Sequence, residues 1–223
     1  MKELNKRILE LWEKDGKQAR VPALYPELKK HTLLFIGLNP SLSEKGIKNV
    51  MKNEDENEWI LNDLFSFFNY KDLDEIKSQK LIEFRSIMKH KYSYFKKFKE
   101  ISCNTGIDWE HIDLFYSYET NQKLIEKSIH SGFYQEQLEI TLDIIHELNS
   151  KIIVVENAFA SKLIKDKLNL CWDESIGTYR LNNSTPIFLS SMLTGQRSLD
   201  IGSLERLIWH INKVNSSLEI TFY

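Results

Sequence analysis

Four short polar clusters hold the residue types that could do chemistry in this chain. The first is Gly37, Leu38, Asn39, Pro40 and Ser41. The second runs from Glu119 to Gln122 and includes Asn121. The third is Glu156 with Asn157. The fourth runs from Ser190 to Arg197 and includes Ser191, Met192, Leu193, Thr194 and Gln196. Amides and hydroxyls can orient water and recognise planar hydrogen-bonding groups, and the two glutamates add acid-base capacity. Each cluster also has a plain structural reading. Gly37 to Ser41 can be an ordinary strand-to-helix turn, Glu156-Asn157 a helix cap, Glu119 to Gln122 a solvated loop, and Thr194 to Arg197 a turn with a surface ion pair.

Other chemistries are disfavoured by the motifs that are missing. The chain has no Gly-x-Gly-x-x-Gly, no Walker loop, no His-Glu-x-x-His and no Gly-x-Ser-x-Gly elbow. Cys103 and Cys171 stand far apart and form no metal or redox motif. No cofactor and no metal are therefore expected. His31, His111, His130, His146 and His210 fall on expected strand starts or helices and read as structural.

The elements that must position the clusters alternate between strand and helix. Leu33 to Leu38 is an apolar run bounded by Gly and Pro, the pattern of a strand buried on both faces. Ser41 and Glu44 have capping-box spacing and predict a helix start. Ile112 to Tyr116, Lys151 to Val155 and Thr185 to Leu189 are the other strand candidates. Tyr179 to Leu181, turning at Asn182-Asn183, is a minor one. Helical spacing predicts helices over Leu4 to Trp12, Trp59 to Phe68, Leu81 to Met88, Tyr92 to Ile101 and Gln135 to Leu148. Further helices are expected from Ala158 or Ser161 and from about Ser203. Such alternation predicts a parallel sheet with helices on both faces. Parallel strands would bring all four polar clusters to one sheet edge, where open α/β sheets bind ligands.

The chain has 223 residues and a net charge of -2, which sets no global nucleic-acid signature. Charge is nonetheless segregated: residues 54–75 are acidic and residues 77–99 basic. His90 to Lys99 interleaves cations with aromatics, so Lys96 and Lys97 are candidate phosphate contacts. An amphipathic helix with core aromatics and solvated lysines explains the same pattern. No apolar run reaches membrane-spanning length and no signal segment is visible, so a soluble cytoplasmic monomer of one domain is expected, with no membrane partner. The N-terminal helix would occupy about residues 1–30 and a helical insertion about residues 45–105.

Gly37-Leu38-Asn39-Pro40-Ser41 at the end of a first buried strand resembles the first motif of the uracil-DNA glycosylase superfamily. It is closest to the Gly-x-Asn-Pro form of the mismatch-specific and single-strand-selective branches. The strand order agrees over roughly Leu33 to Lys213. The family's second motif, usually His or Asn followed by Pro-Ser, is replaced here by Ser190 to Arg197. Where several branches close the second strand with a base-reading Asn, Phe115 or Tyr116 falls nearest here, and Asn121 lies several residues later. The resemblance implies a three-layer αβα sandwich around a four-stranded parallel sheet. It also implies base excision in DNA repair: a flipped base, a hydrolase, and DNA as partner. In that scheme Asn39 orients the attacking water. Gly37, Leu38, Pro40, Ser41, Glu119, Asn121, Glu156 and Asn157 surround the base. Ser191 to Arg197 approach the DNA, with Met192 or Leu193 as wedge and Arg197 on a phosphate. A catalytically silent nucleic-acid or nucleobase binder is one alternative, and a small-molecule enzyme using Glu119 or Glu156 is the other.

Overall fold

The computed structural model describes residues 2–40, 44–52, 68–119, 121–195 and 198–220. The chain divides into two compact units of interleaved segments. The first comprises Met1–Leu28, Asn39–Ser93 and Asp113–Ile144; the second comprises Lys29–Leu38, Tyr94–Ile112 and Ile145–Tyr223. The protein is α/β, with a six-stranded mixed sheet flanked by helices. Its strands are β1 (Leu33–Gly37), β2 (Trp109–Asp113), β3 (Ile152–Val155), β4 (Leu170–Asp173), β5 (Thr178–Leu181) and β6 (Thr185–Leu189), in the spatial order β2-β1-β3-β6-β5-β4.

The centre of the sheet follows the sequence pattern closely. Every residue of β1 and β3 is buried, as continuous apolar runs require. The two strands pair in parallel, Leu33 opposite Ile152 and Ile36 opposite Val155, and β3 pairs in parallel with β6, Val155 opposite Leu189. The expected four parallel strands give way to six in a mixed sheet, because the chain after β3 builds a meander. The strand β4 pairs antiparallel with β5, and β5 antiparallel with β6. The turn into β6 uses Asn182 (φ 51°) and Asn183 (φ 58°), left-handed positions that asparagine tolerates. The strand β4 is only four residues long and lies at a sheet edge, with Cys171 and Trp172 exposed.

The second strand lies three residues earlier than its apolar signal suggested. Trp109–Asp113 forms β2, whereas Leu114, Phe115 and Tyr116 are fully buried outside any strand. Polar residues are tolerated within β2 because they find partners, Glu110 Oε1 accepting from the Lys29 amide. Tyr116 satisfies its backbone irregularly: its amide donates to Gln137 Oε1 at 2.7 Å and its carbonyl accepts from the Ala23 amide at 2.8 Å.

Among the described residues the helices are α1 (Lys2–Asp15), α2 (Glu44–Met51), α3 (Glu75–Lys91), α4 (Lys96–Thr105), α5 (Gln122–Ser128), α6 (Gly132–Leu148), α7 (Ala158–Lys167) and α8 (Ile201–Ile220). None of them is long and apolar enough to cross a membrane. The expected helix over Trp59 to Phe68 lies, but for Phe68, outside the described residues, and so does Ser41 of the capping box. In the second unit α4 packs on α8, and α7 packs on β3. The stretch around α4 takes the amphipathic form: Phe95 and Phe98 are buried while Lys96 is exposed. Phe35, Phe98 and Trp109 pack edge-on and tilted against one another under the sheet, at centroid distances of 4.8 to 6.0 Å.

Candidate functional site

In the first unit, Asn39 is half-buried and followed by a buried Pro40. Backbone carbonyls surround the Asn39 amide. Its Nδ2 donates to the Glu119 carbonyl at 2.5 Å, to the Pro40 carbonyl at 3.3 Å and to the Ser117 carbonyl at 3.5 Å. Three carbonyl acceptors dictate which end of the amide is the NH2. The hydrogen bonds of the Asn39 side chain among the described residues all come from Nδ2. A fixed, unengaged amide oxygen can accept a hydrogen bond from a water and hold it in one orientation.

The second cluster turns out to serve that anchor. Glu119 supplies its backbone carbonyl to Asn39, while its Oε1 accepts from the Asn121 amide at 2.8 Å. Asn121 is exposed and caps α5, accepting from the Lys123 amide at 3.1 Å. Both side chains are thus engaged in shaping the loop. Nearby, Tyr118 is pushed up to about 12 by burial, with Arg85 opposing the shift.

In the second unit the carboxyl ends of β1, β3 and β6 share one edge, because all three run parallel. The Glu156 amide donates to the Ile36 carbonyl and the Ser190 amide to the Val155 carbonyl. Gly37 and Leu38 are buried there. Glu156 is 3% exposed and His111 6% exposed. The Tyr94 hydroxyl donates to Glu156 Oε1 at 2.8 Å, and His111 Nε2 lies 3.2 Å from the same oxygen. The rings of Phe95 and Phe98 stand edge-on to His111 at 5.1 and 5.6 Å. A carboxylate held in so dry a place, with a histidine on it, is a group able to take or deliver a proton.

No family model matches the chain, and no curated protein matches it.

Asn157 serves as the cap of α7: its Oδ1 accepts from the Phe159 amide at 2.8 Å and the Ala160 amide at 3.1 Å. Asn157→Ala should therefore cost about 1 kcal/mol and Asn157→Ser much less. Urea unfolding checks this, and an alanine variant as stable as the wild type refutes it.

The loop after β6 is closed on itself, the Leu199 amide donating to the Met192 carbonyl at 2.9 Å. Lys97 clamps it, donating to the Leu199 carbonyl at 2.7 Å and to Ser198 Oγ at 3.3 Å. Lys97 thus has partners within this loop, and Lys96 is exposed. Leu193 is fully buried, Met192 is half-buried and Ser191 is exposed. Thr194 Oγ1 is buried and has no partner among the described residues. Gln196 and Arg197 lie outside those residues. Among the described residues no group of His, Cys, Asp and Glu could hold a metal ion.

Sequence reasoning passed over His111 and Tyr94. Both sit inside patterns with a sufficient structural reading, one within a strand and the other in an aromatic-basic stretch. The signal that could have found His111 is its place next to Glu110 in a segment otherwise destined for burial.

Proposed function

We propose that this protein is a base N-glycosylase that hydrolyses the bond between a damaged or deaminated base and its sugar in DNA. The observation that carries the reading is the Asn39 side chain, whose Nδ2 is tied to backbone carbonyls, leaving its Oδ1 as the group that would orient water. It stands directly after the first buried strand, in a Gly-Leu-Asn-Pro sequence that resembles the uracil-DNA glycosylase superfamily. A mixed sheet flanked by helices is compatible with the αβα sandwich of that family.

The chemistry needs little from the side chain. The glycosidic bond breaks with oxocarbenium-like character, the base leaves as an anion, and water adds to the sugar. An amide cannot act as a strong base, and a cationic sugar does not require one. Asn39 would contribute orientation, and backbone amides near Leu38 would stabilise the departing charge. The wild-type protein should excise uracil from a uracil-containing oligonucleotide. Intact strands across single-stranded, paired and mismatched substrates would overturn the reading.

A second reading rests on Glu156, buried and bonded by Tyr94 and His111. It makes the protein a small-molecule enzyme with Glu156 as acid-base. Excision by the wild type separates the two, and Glu156→Gln then shows how much Glu156 adds to it. In the glycosylase reading it keeps excision within about tenfold, because orientation of water remains. In the second reading there is no excision to begin with.

A further inference from the structure

The outer face of α8 carries a feature that neither reading of the site uses. Its inner face is packed: Leu204, Ile211 and Val214 are buried, α8 lies on α4, and Asn212 donates to the Asn104 carbonyl at 3.2 Å. The opposite face is a ridge of residues spaced four apart, Ile201, Glu205, Trp209, Lys213 and Ser217, and all five are exposed. Trp209 at its centre is 63% exposed, and Ile201 is 77% exposed. The Lys213 ammonium lies over the Trp209 ring, 5.4 Å from its centre, and the His210 ring stands tilted to it at 6.4 Å. The solvent face of an amphipathic helix ordinarily carries charged and polar groups. A tryptophan in the middle of it is a large apolar area left mostly to solvent, and tryptophan is the residue most enriched at the centres of interfaces.

We infer that this ridge is a dimer contact, and that its occupant is the α8 ridge of a second copy, running antiparallel about a two-fold axis at Trp209. Charge complementarity carries the inference. Glu205 and Lys213 stand four residues to either side of Trp209, about 6 Å along the helix. A two-fold at Trp209 sets Glu205 opposite the second copy's Lys213, and Lys213 opposite its Glu205, while the two tryptophans meet on the axis. Ile201 then comes opposite the small Ser217. A parallel pair would set glutamate on glutamate and lysine on lysine, so the charge pattern selects one orientation. Ridges of four-residue spacing are also those of the commonest helix crossing in globular proteins. A nucleic-acid strand is the other occupant that suits an exposed tryptophan beside a lysine. Glu205 disfavours it, because it stands as many residues from Trp209 as Lys213 does and would face phosphate on that side. Arg206, the next cation on α8, donates to Ser203 Oγ at 3.0 Å. The contact is independent of the chemistry at Asn39.

Sedimentation equilibrium of the full chain tests this, from about 1 μM to about 1 mM. One helix face per protomer is a small contact, so the wild type should be a weak dimer, half-associated at about 10 to 100 μM. Trp209→Ala should weaken association by about 30-fold or more, as loss of a central tryptophan does. Glu205→Lys sets cation against cation twice and should weaken it about tenfold at low salt, and Lys213→Glu should do the same with carboxylates. The double variant Glu205→Lys, Lys213→Glu restores both opposite pairs and should return to within about threefold of the wild type. These positions are exposed, so every variant should melt with the wild type. A wild type that is monomeric throughout the range overturns the proposal. So does a Trp209→Ala dimer as tight as the wild type, or a double variant no tighter than the single ones. A monomeric wild type that binds a fluorescent single strand, with the binding lost in Trp209→Ala, overturns it in favour of nucleic acid on the same ridge.

Discussion

Asn39→Ala is expected to lower uracil excision by about 10²- to 10⁴-fold, the range typical of losing one positioned proton-relay or orienting group. The side chain's only described bonds are from Nδ2 to the Pro40, Ser117 and Glu119 carbonyls, so truncation removes the anchored oxygen and frees three acceptors at a half-exposed site. Those carbonyls can bond water instead, and the stability loss should stay near 1 kcal/mol. The loss should sit in kcat, with strand binding retained, because the orienting bond forms to water and not to the strand. Single-turnover excision alongside anisotropy measures both. An Asn39→Ala protein that folds and excises at the wild-type rate removes Asn39 from the mechanism. The same geometry makes Asn39→Asp informative. A carboxylate would press an oxygen against three carbonyl oxygens, so aspartate should be the less stable of the two variants despite its shape.

The largest effect on stability is expected at Asp113. Asp113 is 2% exposed and Arg85 8% exposed, and Arg85 Nη2 lies 2.5 Å from Asp113 Oδ2. The Tyr25 hydroxyl completes the knot. It donates to Asp113 Oδ2 at 3.0 Å and accepts from the Asp113 amide at 3.1 Å and from Arg85 Nη2 at 3.3 Å. The Arg85 guanidinium lies over the Tyr25 ring, 4.7 Å from its centre. Burial drives the Tyr25 phenol well up, and the nearby Asp113 charge adds to it, so Tyr25 remains a donor. Burial works against the Arg85 cation, but Tyr25 and Asp113 outweigh it and hold Arg85 charged. Asp113→Ala leaves that charge buried without its closest acceptor and should cost about 3 to 5 kcal/mol. Arg85→Met combined with Asp113→Leu should recover most of the loss, since the pair's attraction is offset by the cost of drying two ions. Equilibrium unfolding in urea tests both. A mild single variant, or a double no better than the single, would show that the network is wetter than its burial indicates.

This network was invisible in the sequence for a physical reason. Tyr25, Arg85 and Asp113 are separated by 60 and 28 residues, and no local period links them. Asp113 was legible only as a polar interruption in a strand. The strands β1, β3 and β6 were legible because burial on both faces leaves an unbroken apolar run. Shifting β2 by three residues followed from the opposite case: polar Glu110 and His111 occupy strand positions because partners elsewhere satisfy them, while apolar Leu114 to Tyr116 bury themselves without a ladder. The strand β4 escaped because it is four residues long, directly after a helix, too short for a period to show. Within the candidate site, Asn39 stood out by its punctuation, a glycine before it and a proline after it. Glu156 stood out as a charge directly following four buried apolar residues. Their partners were not legible: two of the three carbonyls that hold Asn39 come from residues 78 and 80 positions away, and Tyr94 and His111 reach Glu156 from 62 and 45 positions away.

The interleaving of the two units has a consequence for the chain as it leaves the ribosome. Three separate segments make each unit, so the first cannot close before Ile144 has been synthesised. The second waits longer. Its sheet is centred on the β3–β6 pair, and β6 ends only at Leu189. Until then β1 and β3 can pair with one another, but β3 presents an open hydrogen-bonding edge and four buried-type side chains to whatever is near. A nascent chain in that state has the features that recruit holdase chaperones. Pairing with β6 is what covers that edge.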